Sequence, residues 1–276
     1  MLTVTELFRQ LSAMGVPQDK PIVVHTSLKA IGETEGRAEG LLAGLTEYVT
    51  AKGGLLVVPA HTWDNFFAHV TPTLDLTSDH TCIGTFPRIA AQSPFGYRSA
   101  HPTHSVVVFG DRDRALAFIA HDEDVRSMSD PAGCMGQVER EDGCILLIGV
   151  GQDKNTYLHT VEEELQVKNR MGTVPCSVSV RRSDGTSVRK QILPLCAEGI
   201  GDVSANYPVF QPAFEYHHAV VRGKIGGADS MLCRARMLKA VLRVINERKG
   251  EKEVLADKTP LDPSLYENAD PGVPLF

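Results

Sequence analysis

The chain has 276 residues, 42% apolar and 22% charged, which is long enough to bury a sizeable core without disulfides or metals. A net charge of -6 with no basic stripe argues against a nucleic-acid partner. The opening MLTVTELFRQLSAMG lacks the basic start and apolar run of a signal peptide, and no uncharged stretch approaches the roughly 20 residues that span a bilayer, so a cytoplasmic protein with no membrane partner is expected.

Thr3 to Ala13 has the spacing of an amphipathic helix, with Leu7 and Leu11 on one face and Thr3 or Thr5 as its cap. Pro21 to His25 is a short β-branched run and predicts a buried strand. Ala38 to Thr50 predicts a helix, Gly53-Gly54 breaks it, and Leu55 to Pro59 predicts a second buried strand. This βαβ start implies a parallel pair with a right-handed crossover. His61 to Thr81 is polar and turn-rich. Helices are predicted over Gly84 to Ala91 and Ala115 to Ala120, with a strand at Val106 to Phe109. Cys144 to Val150 is the most apolar run and predicts a central strand, followed by a helix over Thr156 to Gln166. Pro175 to Arg182 and Val188 to Pro194 flank Ser183-Asp184-Gly185-Thr186, a hairpin signal. Asp229 to Arg248 has helical spacing through Leu232, Met237, Val241 and Ile245, and the tail from Lys258 is expected on the surface. Cys82, Cys134, Cys144, Cys176, Cys196 and Cys233 form no C-x-x-C pair and are expected to be reduced thiols. The fold class expected is α/β: a single domain over residues 1–276 with a mixed central sheet, a βαβ start and a C-terminal antiparallel hairpin addition.

Histidines carry most of the chemical information. His25 and His61 follow predicted strands, His101 and His104 precede one, and His159 follows Cys144 to Val150. Loops beyond strand carboxyl ends converge on a ligand crevice in open α/β sheets. Each histidine taken alone reads more readily as a structural side chain, and it is their joint placement that points to a site. His101-Pro-Thr-His104 raises a metal alternative, a hydrolase using His61, His101 and His104 with Asp64 as another ligand, although Pro102 argues against a helix there and H-E-x-x-H is absent. If Thr156 opens a helix, Glu162 and Glu163 follow His159 on the same face. A carboxylate beside an imidazole raises its basicity and suits a general base. The same residues also fit a surface helix with acidic residues near its N-terminal end. Gly149-x-Gly151 lacks the third glycine of a dinucleotide fingerprint, and neither a Walker loop nor a G-x-S-x-G elbow occurs.

Read together, His25-Thr26-Ser27-Leu28-x-x-Ile31-Gly32, Gly54-x-Leu56-x-Val58-Pro59-x-His61-Thr62, Arg98-Ser99-x-His101-Pro102-Thr103-His104-Ser105 and Leu147-x-Gly149-Val150-Gly151-x-Asp153-x-Asn155-Thr156-x-x-His159-x-x-Glu162 resemble, in order and spacing, the aminoglycoside 3-N-acetyltransferases of the antibiotic N-acetyltransferase family. The resemblance runs clearly from Val4 to Glu164. It implies a metal-independent acyltransferase that binds acetyl-coenzyme A and a cationic amine in a ternary complex, as a monomer or homodimer. It implies His159 as general base, Glu162 as its orienting or charge-balancing partner, and His25 beside the thioester. Thr26, Ser27, Ser99 and Ser105 match positions near the cofactor, with backbone N–H groups at Thr26 or Ser27 offered to the developing oxyanion. Lys29 and Arg98 are candidates for a phosphate contact. Asn155 and Thr156 match the turn presenting the histidine. The stretch from His61 to Thr81 is shorter than in many resistance enzymes, so the carboxylates that would hold the amine are open; Asp64, Glu163 and Glu215 are the candidates.

Overall fold

The computed structural model describes residues 1–250 and 253–273. Helix α1 (Val4–Ala13) is capped by Thr3, whose hydroxyl accepts the N–H of Glu6, and it buries Leu7 and Leu11 as the periodicity predicts. Strand β1 (Pro21–Thr26), the short helix α2 (Leu28–Ile31), helix α3 (Arg37–Thr50) and strand β2 (Leu55–Pro59) form the expected βαβ start. The region from His61 to Thr81 is not merely loop. It holds helix α4 (Trp63–Phe67) and strand β3 (Leu74–Asp75). Helix α5 (Thr85–Gln92), strands β4 (Tyr97–Arg98) and β5 (Val106–Phe109), and helices α6 (Arg112–Ile119) and α7 (Cys134–Arg140) follow. Strand β6 (Cys144–Ile148) leads through a 3₁₀ turn at Gln152–Lys154 into α8 (Tyr157–Glu164). Strands β7 (Cys176–Arg181) and β8 (Ser187–Ile192) make the expected hairpin. A 3₁₀ segment at Val203–Phe210 runs into α9 (Gln211–Tyr216), then β9 (Val220–Ile225), β10 (Ala228–Arg234) and α10 (Ala235–Lys249).

The seven-stranded sheet has the order β4-β5-β2-β1-β6-β10-β9. Parallel β2, β1 and β6 form its centre, and antiparallel pairs flank them on both sides. The sheet is therefore mixed, as expected, and β6 is interior to it. Alternate residues of each central strand enter opposite cores. Val23, Val57, Ile145 and Leu147 pack with α6, α7, α8, α9 and α10. Ile22, Val24, Leu56, Val58 and Leu146 pack with α1, α3 and α5. Each such fully buried side chain stabilises the sandwich by roughly 1.5–3 kcal/mol.

One expectation changes. The long helix expected from Asp229 starts only at Ala235, because Ala228–Arg234 is the strand that pairs antiparallel with β6. Helical spacing from Met237 onward is real, but Leu232 and Cys233 belong to a sheet position that overrides their local propensity. The predicted hairpin does not extend the main sheet. It forms a second, three-stranded sheet in which β7 pairs with β3. All six cysteines are free thiols. No helix among the described residues is long and apolar enough to cross a membrane.

Candidate active site

The strand directions explain why distant histidines meet. The carboxyl ends of β1, β2 and β6 lie at one edge of the sheet, and β5, running the other way, begins there. His25 is the penultimate residue of β1, His61 follows β2, His104 precedes β5 and His159 follows β6, and all four line one cleft of about 990 Å³. That volume is at the upper end for a ligand pocket. His61 and His104 stand with ring centroids 4.6 Å apart, and His101 packs 5.7 Å from His104 on the far side.

His159 is half-buried in the first turns of α8. Its Nδ1 lies 2.5 Å from the Tyr207 hydroxyl and 2.6 Å from Nη2 of Arg170. Glu162 does not touch His159 itself. Its Oε2 accepts the Tyr207 hydroxyl proton at 2.6 Å and lies 2.7 Å from Nε of Arg170. Arg170 also donates from Nη1 to the Cys196 carbonyl at 3.1 Å. Arg170 and Glu162 are almost wholly buried, so their pairing compensates two charges that would otherwise be costly to hold there. Glu162 is therefore linked to His159 through Tyr207 and Arg170. The expected rise in basicity is not found: burial, then the Arg170 charge, push the imidazole well below its ordinary value. Burial raises the carboxyl of Glu162, with Arg170 and Tyr207 pulling it back down. The Tyr207 phenol is held protonated by burial and by the Glu162 charge. Neither Tyr207 nor Arg170 was among the residues singled out from sequence; they lie 48 and 11 positions from His159, with no local pattern linking them.

The β1 end of the cleft carries orphaned polar atoms. Nε2 of His25 and Oγ1 of Thr26 are buried without a hydrogen-bond partner, as are Nε2 of His61 and Oδ1 of Asn155. Burial lowers His25 to about 4, so the ring is neutral near pH 7. Asn155 is fixed by donating from Nδ2 to Oε1 of Gln152 at 2.8 Å, which leaves its orphaned oxygen on the cleft wall. Thr156 lines the cleft at the mouth of α8.

Several candidates from sequence stand elsewhere. The N–H of Ser27 donates to the Ile148 carbonyl at 2.8 Å, and its hydroxyl caps α2 by accepting the N–H of Ala30, so Ser27 lines the cleft but its N–H is not free for an oxyanion. Lys29 is exposed on α2, away from the cleft-lining residues. Arg98 is not among the cleft-lining residues. Its guanidinium is spent on the carbonyls of Ser78, His80 and Ala60 and on the Ser105 hydroxyl, and burial pushes it down to about 10. Ser105 donates to the Ala60 carbonyl and Ser99 accepts the N–H of Val106, so both buried hydroxyls fasten strands rather than line the cleft. Asp64 holds His80 at 2.9 Å. Glu163 accepts from the hydroxyls of Ser127 and Ser129, and burial raises its carboxyl. Glu215 on α9 accepts from Gln211 and Arg222, outside the cleft. The metal alternative fails on geometry. Nδ1 of His101 accepts the N–H groups of Thr103 and His104, and among the described residues no three His, Cys, Asp or Glu side chains converge as ligands.

Comparison with known proteins places this cleft in context. The family model for aminoglycoside 3-N-acetyltransferase matches residues 23–245. Aminoglycoside N(3)-acetyltransferase IV of Salmonella sp is 32% identical over 163 residues, a match spanning 57% of this chain and 57% of that relative. Aminoglycoside N(3)-acetyltransferase VII of Streptomyces paromomycinus is 26% identical over 260 residues, 85% of this chain and 88% of the relative. Among solved structures, the apoenzyme of aminoglycoside acetyltransferase AAC(3)-IVa aligns with a TM-score of 0.71 at 25% identity, covering 90% of each chain. AAC-IIIb binary with CoASH gives a TM-score of 0.75 at 21% identity over 90% of this chain and 97% of that one, a likeness of fold.

Proposed function

The chain belongs to the aminoglycoside 3-N-acetyltransferase family of acyltransferases, and from that premise we propose that it transfers the acetyl group of acetyl-coenzyme A to an amine held beside it in a ternary complex. The names of its relatives point to the 3-amino group of an aminoglycoside as an acceptor. The observation that carries the reading is His159, set at the cleft wall by the Tyr207–Glu162–Arg170 cluster.

An ammonium must lose a proton before its nitrogen can attack a thioester carbonyl. Nε2 of His159 has no hydrogen-bond partner among the described residues, and Nδ1 takes up the contacts with Tyr207 and Arg170. With its hydroxyl hydrogen directed at Glu162 in a hydrogen bond, the Tyr207 oxygen can accept Nδ1–H, which leaves the Nε2 lone pair free. A base so placed contributes about 10²–10⁴-fold. The ammonium's first proton goes to solvent; as the neutral amine forms the carbon–nitrogen bond, its next proton passes to Nε2, and as the carbon–sulfur bond breaks, the imidazolium gives that proton to the departing thiolate, leaving an amide and a free thiol. Buried surroundings that hold His159 below its ordinary value keep it unprotonated near pH 7, ready to accept. The unpartnered Nε2 of His25 and Oγ1 of Thr26 are polar groups that a bound thioester would meet. Holding donor and acceptor together supplies much of the remaining acceleration.

Purified protein should release free thiol from acetyl-coenzyme A only when an acceptor amine is present, with one N-acetylated product per thiol. Thiol release that does not depend on any amine, or none with a broad amine panel, contradicts the reading.

A further inference from the structure

Acyl transfer places negative charge on one oxygen. As the amine nitrogen attacks the thioester carbon, the carbonyl electron pair moves onto oxygen, and it re-forms the double bond as the carbon–sulfur bond breaks. Hydrogen-bond donors aimed at that oxygen act most strongly where water is excluded. The backbone N–H of Ser27 is taken by the Ile148 carbonyl. Nε2 of His25 and Nε2 of His61, by contrast, are buried in the cleft wall without a hydrogen-bond partner.

The sheet register brings these two rings to one face. β1 and β2 are parallel neighbours with Val23 opposite Val57. Both valines enter the core that also takes Leu158 and Val161 of α8, and His25 follows Val23 by two residues. Beyond β2 the extended pairing continues, since the N–H groups of Ala60 and Thr62 donate to the carbonyls of Ser105 and Thr103, each at 2.8 Å. Ala60 enters the opposite core with Leu56 and Val58. His61 therefore keeps the face of Val57, as His25 keeps that of Val23. His61 is also electrostatically central. Burial holds its imidazole well below the ordinary value, and charge on His104, His25, His101 or His159 would lower it further. It is thus a neighbour of both His25 and the base, and its ring is packed 4.6 Å from that of His104.

Resting on the acetyl-transfer reading, we propose that Nε2–H of His61, together with Nε2–H of His25, forms the oxyanion site of the reaction, which makes His61 a catalytic residue distinct from the base. A thioester presents acceptors only, so the two Nε2 atoms are satisfied by it only as donors. A neutral imidazole can donate from Nε2 while Nδ1 stays bare. Neutrality suits the part, because an imidazolium here would repel the one that forms at His159. Both rings are held neutral near pH 7 by burial.

The test uses the full chain with acetyl-coenzyme A and an aminoglycoside acceptor. His61→Ala should lower kcat about a hundredfold, the scale of one lost oxyanion donor, with acetyl-coenzyme A affinity by calorimetry unchanged. His61→Gln restores an N–H donor and should recover at least about tenfold of that loss, whereas an amide would not rescue a ring needed only for packing. Nitrogen-15 NMR of the wild type needs no turnover. His61 should carry its proton on Nε2, and that proton should move downfield when a ketone analogue of acetyl-coenzyme A is bound. A kcat for His61→Ala within about threefold of wild type, no recovery in His61→Gln, a proton on Nδ1 of His61, or an Nε2–H signal unmoved by the analogue overturns this proposal and leaves acetyl transfer standing. Absence of N-acetylated product from the wild type with any amine overturns the acetyl-transfer reading beneath it.

Discussion

Arg170 and His159 meet at Nδ1, where the guanidinium Nη2 lies 2.6 Å from the ring nitrogen. A guanidinium donates and has no lone pair to accept with. This contact favours a bare Nδ1 and therefore a proton on Nε2. The Tyr207 hydroxyl, 2.5 Å from the same atom and donating to Glu162, favours the other tautomer, in which Nε2 is free to act as a base. The imidazole is thus set between a residue that opposes the basic form and one that supports it.

Replacing Arg170 shifts that balance. Arg170→Lys keeps a positive charge beside Glu162 but loses the fork that reaches Nδ1. Nitrogen-15 NMR of the labelled histidine should show a larger share of the Nδ1–H tautomer, and the acid limb of kcat/KM should move upward. An unchanged tautomer ratio and an unchanged limb would show that Arg170 does not govern the ring.

Removing the Tyr207 hydroxyl acts in the opposite direction. Tyr207→Phe leaves Nδ1 without an acceptor for its proton and leaves Glu162 with Arg170 alone. We expect kcat to fall about tenfold or more, part of the 10²–10⁴-fold that a positioned base supplies, with KM for acetyl-coenzyme A unchanged. A stability loss of roughly 1–3 kcal/mol should accompany it, from the donor lost at a buried carboxylate. Steady-state kinetics with urea denaturation check both; full activity would remove Tyr207 from the mechanism.

Low pH should unfold the protein through its histidines. His25 and His104 are lowered from 6.5 to about 4, and His61, His101 and His159 are pushed well below 6.5, all chiefly by burial. A depressed folded value means that the unfolded chain binds protons first. The stability they confer is complete above about pH 6.5 and is lost as pH falls through the window toward 4. Each ionising group steepens the loss by up to roughly 1.4 kcal/mol per pH unit. Asp122, Glu162 and Glu163 are raised by burial, so they bind protons more tightly when folded and offset part of the loss at the acid end. Urea midpoints should fall between pH 7 and pH 5; a constant midpoint would contradict the buried, neutral assignment.

Arg98 should behave as a clamp. Its bonds to the Ser78, His80 and Ala60 carbonyls tie the loop after β3 to the end of β2. Arg98→Gln should cost roughly 2–3 kcal/mol, as for loss of a charged hydrogen-bond donor, while KM for acetyl-coenzyme A stays within about twofold. A tenfold rise in that KM without a change in melting temperature would return Arg98 to the cofactor.

The legibility of the chain follows the range of each interaction. β1, α3, β2 and β6 were readable because a buried parallel strand needs a continuous apolar run and the crossover needs a periodic helix. β10 was hidden because Leu232, Met237, Val241 and Ile245 share helical spacing across a strand–helix junction at Arg234 and Ala235. A signal did exist: Gly226-Gly227 is a two-residue turn, with Gly226 at φ 58 and no room for a side chain against the Ile31 carbonyl. His159 and Glu162 were found because they share one helical turn and a resemblance. Arg170 and Tyr207 reach the same point from separate segments, and only the folded chain brings them there. The carbonyl partners of Arg98 were equally illegible, because they come from the ends of β2 and of the β3 loop, segments that no local pattern links to it.

The most direct measurement of the central claim is the single-turnover rate of N-acetyl product formation by wild type and His159→Gln, with the amine and acetyl-coenzyme A both saturating and acetyl-coenzyme A affinity measured by calorimetry. The base assignment predicts a loss of about a hundredfold or more with cofactor affinity preserved. Equal rates in the two proteins would contradict it.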